Sequence, residues 1–503
     1  MSDMRETAIL LEDKSLDSGR IGLAFEGAVL RLPPMKTSSL FRHVGSIAAQ
    51  LFARPASRSA QPAVVRPNYS RPEPLEERFV LSSFVVTNLN NSGPGSLRAA
   101  VNKANLAADV DSITFQAGLT GPIVLLTGEL SITQPVSIVG PGANIIKVSG
   151  HDTSRVFEIA AGKTVAISGI TIMHGNSGAG AGGGVLNQGI LTMTNDIFDS
   201  NRVTGAAHGG AIENTGAGSK LFLIGSKVVN NTSDEGGGIF NELGATAALT
   251  KCFITTNHGS NSGDGAGIRN IGDMSIRFST ISDNVGTGTS FFGGGIRNDG
   301  NLSIIASTIA HNIAQGRGGG IYNSATLNIT ISTIVNNIAI GSLGGGGIQS
   351  AVGSLTVNNS TVTGNVDASS NASGAGGIAI TGGTLAINNT VVAGNFATGA
   401  NSPDLRGAVA SGSGNFIGIG DAGLTGITNG VNSNQIGTVA VPIDPKLGPL
   451  QNNGGFSLTR LPLIGSPLIN KGVNAVIPAG LTTDQRGLPR FHASIVDIGA
   501  TEL

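Results

Sequence analysis

The stretch GGGIRNDGNLSIIASTIAHN, from Gly293 to Asn312, returns 25 residues later as GGGIYNSATLNITISTIVNN, from Gly318 to Asn337. Both read as a Gly run, a β-branched residue, an Asn two positions on, an alternating apolar segment and a closing Asn. The same frame extends in both directions. Its β-branched residue is Val185, Ile212, Ile239, Ile268, Ile296, Ile321, Ile348 and Ile378, at intervals of 27, 27, 29, 28, 25, 27 and 30 residues. A period of this length belongs to a solenoid, a propeller or an array. Alternation places Ile296, Leu302, Ile304 and Ile309 on one face and polar residues on the other. No helix-length pattern interrupts the repeats, so each offers about three short strands. Such strands are satisfied by an all-β, right-handed parallel β-helix, with coils stacked at ~4.8 Å. About eleven coils are expected, giving a rod of order 50 Å.

Two Asn columns fit that stacking. The first is Asn201, Asn231, Asn257, Asn284, Asn312, Asn337, Asn365 and Asn395; the second is Asn187, Asn214, Asn241, Asn270, Asn298 and Asn323. Like side chains on adjacent coils lie above one another, and Asn ladders hydrogen-bond along a stack. Asn also tolerates the left-handed backbone that a sharp corner needs. Both columns are therefore read as structural, since ligand-binding Asn would gather at one place rather than run down the rod.

Composition narrows the function. Glycine supplies 77 of 503 residues, and only 12 % are charged. That describes tight turns and a surface of Asn, Ser and Thr. The apolar share of 40 % allows a packed core. A net charge of −1 argues against nucleic acid as a partner. No run of 18 apolar residues is present, so no transmembrane helix or membrane anchor is expected. Cys252 is the single cysteine, which excludes an intrachain disulfide and Cys-based metal clusters. His151, His174, His208, His258, His311 and His492 are scattered without metal spacing, and the SDEGGG and SGDGAG segments lack the nine-residue period of calcium β-rolls. No metal and no cofactor are expected.

Residues 1–83 differ in kind. They lack the repeat, and from Met35 they are basic and rich in Pro and Ser, as an export-related or linker region is. VGSIAAQLFA has the length of a signal-peptide core, and initiation at Met35 would give it a charged flank. The next segment, Phe84 to Asn105, reads as strand, Gly-Pro turn and short helix, with Ser96 as N-cap. Such a helix would cap the open end of the solenoid. The division expected is thus 1–83, a β-helix over 84–430, and a closing segment over 431–503.

Several motifs carry a resemblance. GGAI at Gly209–Ile212 and FDSN at Phe198–Asn201 resemble the GGAI/FxxN repeats of polymorphic outer-membrane proteins and related bacterial β-helix surface proteins. PEPLEERFVLS, with Leu75, Glu76, Arg78, Leu81 and Ser82 in place, resembles an LExRxLLS-like motif of large exported bacterial proteins. DPKLGPLQNNGGFSLTRLPLIGSPLINKG, TTDQRGLPR and VDIGATEL resemble the domain that precedes anchoring tails in such proteins. The resemblance implies a secreted or cell-surface bacterial protein and says little about chemistry.

One column is a candidate site. The residue before each Gly run is His208, Glu235, Asp264, Phe292 and Arg317 in successive coils. In register, Glu235 and Asp264 would stand roughly 5 Å apart, near the separation of a retaining glycosidase pair. Phe291 or Phe292 could stack on a sugar ring, with Arg269 and Arg297 one column away. Against catalysis, these positions flank loops, where charge is ordinarily solvated, and no Asp-Asp doublet or RxK signature of pectin-degrading β-helices occurs. The sequence therefore favours a structural, adhesive or glycan-binding rod over an enzyme. A polysaccharide lyase or glycoside hydrolase of the pectin-lyase-like class is the alternative.

Overall fold

The computed structural model describes residues 10–11, 22–25, 28–31 and 82–503, except 107–108, 206, 261–262, 342–343, 370–373, 400 and 492–493. The chain divides into two units, Met1–Glu77 and Arg78–Leu503. In the first, strands Leu10–Leu11, Gly22–Phe25 and Ala28–Arg31 pair antiparallel. The Met35 start, the export-like motif up to Leu81, and His492 lie outside the described residues.

The second unit is a parallel β-helix. One coil shows the plan: strands Ile296–Asn298, Asn301–Ile305, Thr308–Ala310 and Ile313–Ala314, each paired in parallel with its counterpart one coil on. The second-strand ladder runs from Ser83–Val86 to Leu405–Ser413 through twelve successive pairings. The solenoid thus has about twelve turns, one more than the repeat suggested, because the opening turns carry strands without the Gly run. A fourth strand of two residues, from Thr232–Ser233 to Phe396–Ala397, was not foreseen. Two residues are too few to show an alternation.

The eight β-branched residues from Val185 to Ile378 stack in register and are fully buried. The Gly run that precedes them has a steric cause. The first glycine of a run, such as Gly236 (φ +60°), holds a left-handed turn. At the third, Gly295, a Cβ would stand 2.7 Å from the Gly320 carbonyl oxygen and 2.9 Å from Asn312 Nδ2. The glycine and the ladder Asn therefore specify one another across the corner.

Both Asn columns form continuous ladders. In the first, each Nδ2 donates to the Oδ1 of the next Asn at 2.8–3.0 Å, from Asn201 to Asn395. Asn395 then donates to Asp404. The second runs at 2.7–2.9 Å from Asn187 to Asn323 and ends on Ser350 Oγ. One expectation needs correction. The left-handed residue at the first ladder's corner is the one before the Asn, as at Ser200, Asn230, Thr256, Asp283, His311 and Asn336. The ladder Asn serves hydrogen bonding alone. A third ladder, between second and third strands, was not read from sequence. There Ser279, Ser307 and Ser332 accept the backbone N–H of the residue one coil below, and Cys252 occupies the same column.

Helix α1, Leu97–Ala104, begins at Ser96, whose Oγ accepts the Ala99 N–H. Its buried Leu97, Ala100, Val101 and Ala104 join the core beside the opening strands. At the other end, the closing segment turns back along the flank. Gln485 Nε2 donates to Thr308 Oγ1 (2.9 Å) and Ser457 Oγ (2.9 Å), and Thr333 Oγ1 donates to Gln485 Oε1 (2.6 Å). Arg490 reaches Asn359 Oδ1, and the Ala500 N–H reaches Thr361 Oγ1. The segment therefore covers the outward face of the third strands from Thr308 to Val391, all of which are buried.

Candidate functional site

The Gly run fixes the residue before it. The flanking column is in register: His208 bridges Glu235, Asp264 bridges Phe292, and Phe292 bridges Arg317. The Gly236 N–H donates to the Asp264 carbonyl (3.0 Å), completing the stack between Glu235 and Asp264. The difference in loop lengths is absorbed elsewhere in the coil. Beside this column lies the middle residue of each first strand. Because Ile and Asn on either side point inward, Phe240, Arg269, Arg297 and Tyr322 point outward, in register. Asp299, just past the first strand, adds a third column.

The three columns form a strip of ion pairs. Arg269 meets all three carboxylates: Glu235 at 3.7 Å, Asp264 at 3.0 Å and Asp299 at 2.8 Å. Arg297 meets Asp264 at 2.5 Å and Asp299 at 2.9 Å. The other Asp264 oxygen accepts the Phe292 N–H at 3.2 Å. These groups are not solvated loop-tip charges as the sequence suggested. Asp264 is 8 % and Arg269 9 % exposed. Burial pushes the Asp264 carboxyl above its ordinary range, against the pull of Arg297 and Arg269. Burial alone would lower Arg297, but Asp264 and Asp299 outweigh it and hold it above its usual value.

A pair of stacked rings adjoins the ion pairs, Phe292 partly exposed and Tyr322 only 8 % exposed behind it. Phe292 and Tyr322 stack at 4.9 Å between centroids with 17° between planes. Arg297 lies 5.3 Å from the first ring and 5.2 Å from the second, and Arg317 lies 5.5 Å from Phe292. These are cation–π distances. Phe291, the other aromatic candidate, is fully buried and packs over Gly259 and Gly286, so it is not available to a ligand. His208 stacks on Phe240 at 4.4 Å. One turn below Phe240, Glu213 is buried with one carboxylate oxygen unpartnered. Burial, reinforced by Glu242, pushes its carboxyl up to about 8.

Chemically the strip is a closed ionic network beside a pair of rings. Both Asp264 oxygens already hold protein donors, so it cannot attack or accept a proton without breaking those bonds. Among the described residues, no group of three or more His, Cys, Asp or Glu is placed to hold a metal ion. The structure brings the candidates His208, Glu235, Asp264, Phe292, Arg269, Arg297 and Arg317 onto one strip, together with Asp299, Tyr322 and Phe240, which were not among them. The signal for Tyr322 and Phe240 was the variable position between Ile and Asn in each repeat.

No family model matches the chain, and no curated protein does. Among solved structures, it is similar in fold to pectate lyase Pel9A, at 15 % identity over 84 % of this chain and 97 % of that one, with a TM-score of 0.41. It is also similar to the Azotobacter vinelandii mannuronan C-5 epimerase AlgE6 A-module (12 % identity, 70 % and 97 % covered, TM-score 0.30). A third is Geobacillus virus E2 ORF18 (10 % identity, 77 % and 71 % covered, TM-score 0.34). At these identities the likeness is one of fold alone. No helix among the described residues is long and apolar enough to cross a membrane.

Proposed function

We propose that this protein is an exported β-helix, secreted or held at a bacterial cell surface, that binds saccharide along the first-strand strip without turning it over. The observation that carries the reading is the partly exposed Phe292 ring, backed by Tyr322 and edged by Arg297 and Arg317. Flat apolar faces edged by fixed polar groups suit a sugar ring, which presents one C–H face and a rim of hydroxyls. The commitment of Asp264 to Arg269, Arg297 and the Phe292 N–H supports binding over hydrolysis. The pair Glu235 and Asp264 then orders the arginines rather than cleaving a bond.

A glycan array probed with the full chain tests this. A defined set of saccharides should be retained, and Phe292→Ala should weaken retention by about tenfold, on the order of 1–2 kcal/mol. No new reducing ends should appear on prolonged incubation. Absence of binding to any glycan would contradict the reading. So would release of reducing ends that stops in Glu235→Gln/Asp264→Asn.

A further inference from the structure

The strip holds three carboxylates and three arginines, but only two of the arginines take part in its ion pairs. Glu235, Asp264 and Asp299 are all held by Arg269 and Arg297. Arg317 stands outside that network. Among the described residues it makes no ion pair and no side-chain hydrogen bond, and its one contact is the face of Phe292. The four residues below it in the same column, His208, Glu235, Asp264 and Phe292, each meet a charge or a ring on the coil above. Above Arg317 the column continues as Gly344, placed in register by the Gly319 N–H donating to the Gly345 carbonyl (3.2 Å). Glycine offers no side chain there. The strip therefore ends in a guanidinium that, among the described residues, has no ion-pair partner and lies over the Phe292 ring.

We infer that the Arg317 end of the strip takes the anionic group of a charged saccharide, a carboxylate or a sulfate, while the Phe292 ring takes its sugar ring. This rests on the saccharide-binding reading and adds the ligand class. A guanidinium presents a planar fork of donors that matches both oxyanions. It reaches full strength only when an anion completes it. The paired arginines are already neutralised by Asp264 and Asp299, so an anion gains less from them. The carboxylates beneath them would repel an anion placed lower on the strip, which directs it to the Arg317 end.

The test is calorimetric titration of the full chain with three polysaccharides of matched length: one neutral, one polyuronate and one sulfated. At least one charged polymer should bind about tenfold or more tightly than the neutral one. That advantage should shrink as salt rises. Arg317→Gln should reduce it to the neutral level, Arg317→Lys should keep part of it, and Lys220→Gln, on the exposed second-strand face, should change nothing. Whichever charged polymer binds tighter identifies the anion. Equal binding of all three polymers, or charged binding untouched by Arg317→Gln, overturns the inference while saccharide binding stands. Failure of every polymer to bind overturns both.

Discussion

Asn284 shows what a single ladder residue contributes. Its Nδ2 donates to the Ile254 carbonyl and to Asn312 Oδ1, and its Oδ1 accepts the backbone and side-chain N–H of Asn257. All of this is buried. Asn284→Ala leaves several groups unpaired and should cost about 3 kcal/mol in denaturant unfolding; a loss under ~0.5 kcal/mol would show the ladder to be ornamental. Asp196 gives a pH prediction. It sits in the third corner column, where burial raises its carboxyl to about 8. A carboxyl raised in the fold binds more protons folded than unfolded. Its stabilising contribution is therefore full below about pH 4 and is lost as pH rises toward 8, at up to ~1.4 kcal/mol per pH unit. Asn415 and Asn434 occupy the same column, so Asp196→Asn fits and should flatten the decline; an unchanged slope in melts from pH 5 to 9 would refute this. The Asn ladders were legible because Asn recurs at fixed spacing. The third column was not, since Asp196, Ser226, Cys252 and Ser279 look like ordinary polar punctuation until the corner is built.

The elements differ in how far sequence reached them. The three longer strands of each coil follow from alternation, and α1 follows from the Ser96 cap. The closing segment falls in one compact unit with the solenoid, and its place on the flank depends on contacts across more than a hundred residues, which no local pattern encodes. Its hold rests on a buried ionic cluster. Arg490 is fully buried and pairs with Glu502 at 3.0 Å, and Arg486 pairs with Asp484 at 2.7 Å. Arg490→Ala removes one charge of a buried pair and should cost about 3–5 kcal/mol. The expected sign is early proteolysis of the closing segment while the repeats stay protected in hydrogen exchange. Loss of protection along all coils at once would instead make the segment and solenoid one cooperative unit.

At the scale of the molecule, register is what turns a repeat into a strip of neighbouring side chains. Residues 235, 264, 292 and 317 are far apart in sequence, and stacked coils bring them onto one strip beside Arg269, Arg297 and Tyr322. The strip was partly legible because the Gly run sets a frame; Asp299 was not, because its role depends on where two arginines on different coils point. If the protein is exported, fractionation of its native cells should find it outside the cytosol, and a purely cytosolic pool would contradict that part of the proposal. If the strip is a saccharide site, bound sugar must lie on it. The most direct measurement is a crystal structure of the full chain soaked with the best-binding glycan. Sugar density should lie against Phe292, with Arg297 and Arg317 at its edge and the Arg269 ion pairs intact. Density only on another face of the solenoid would contradict it.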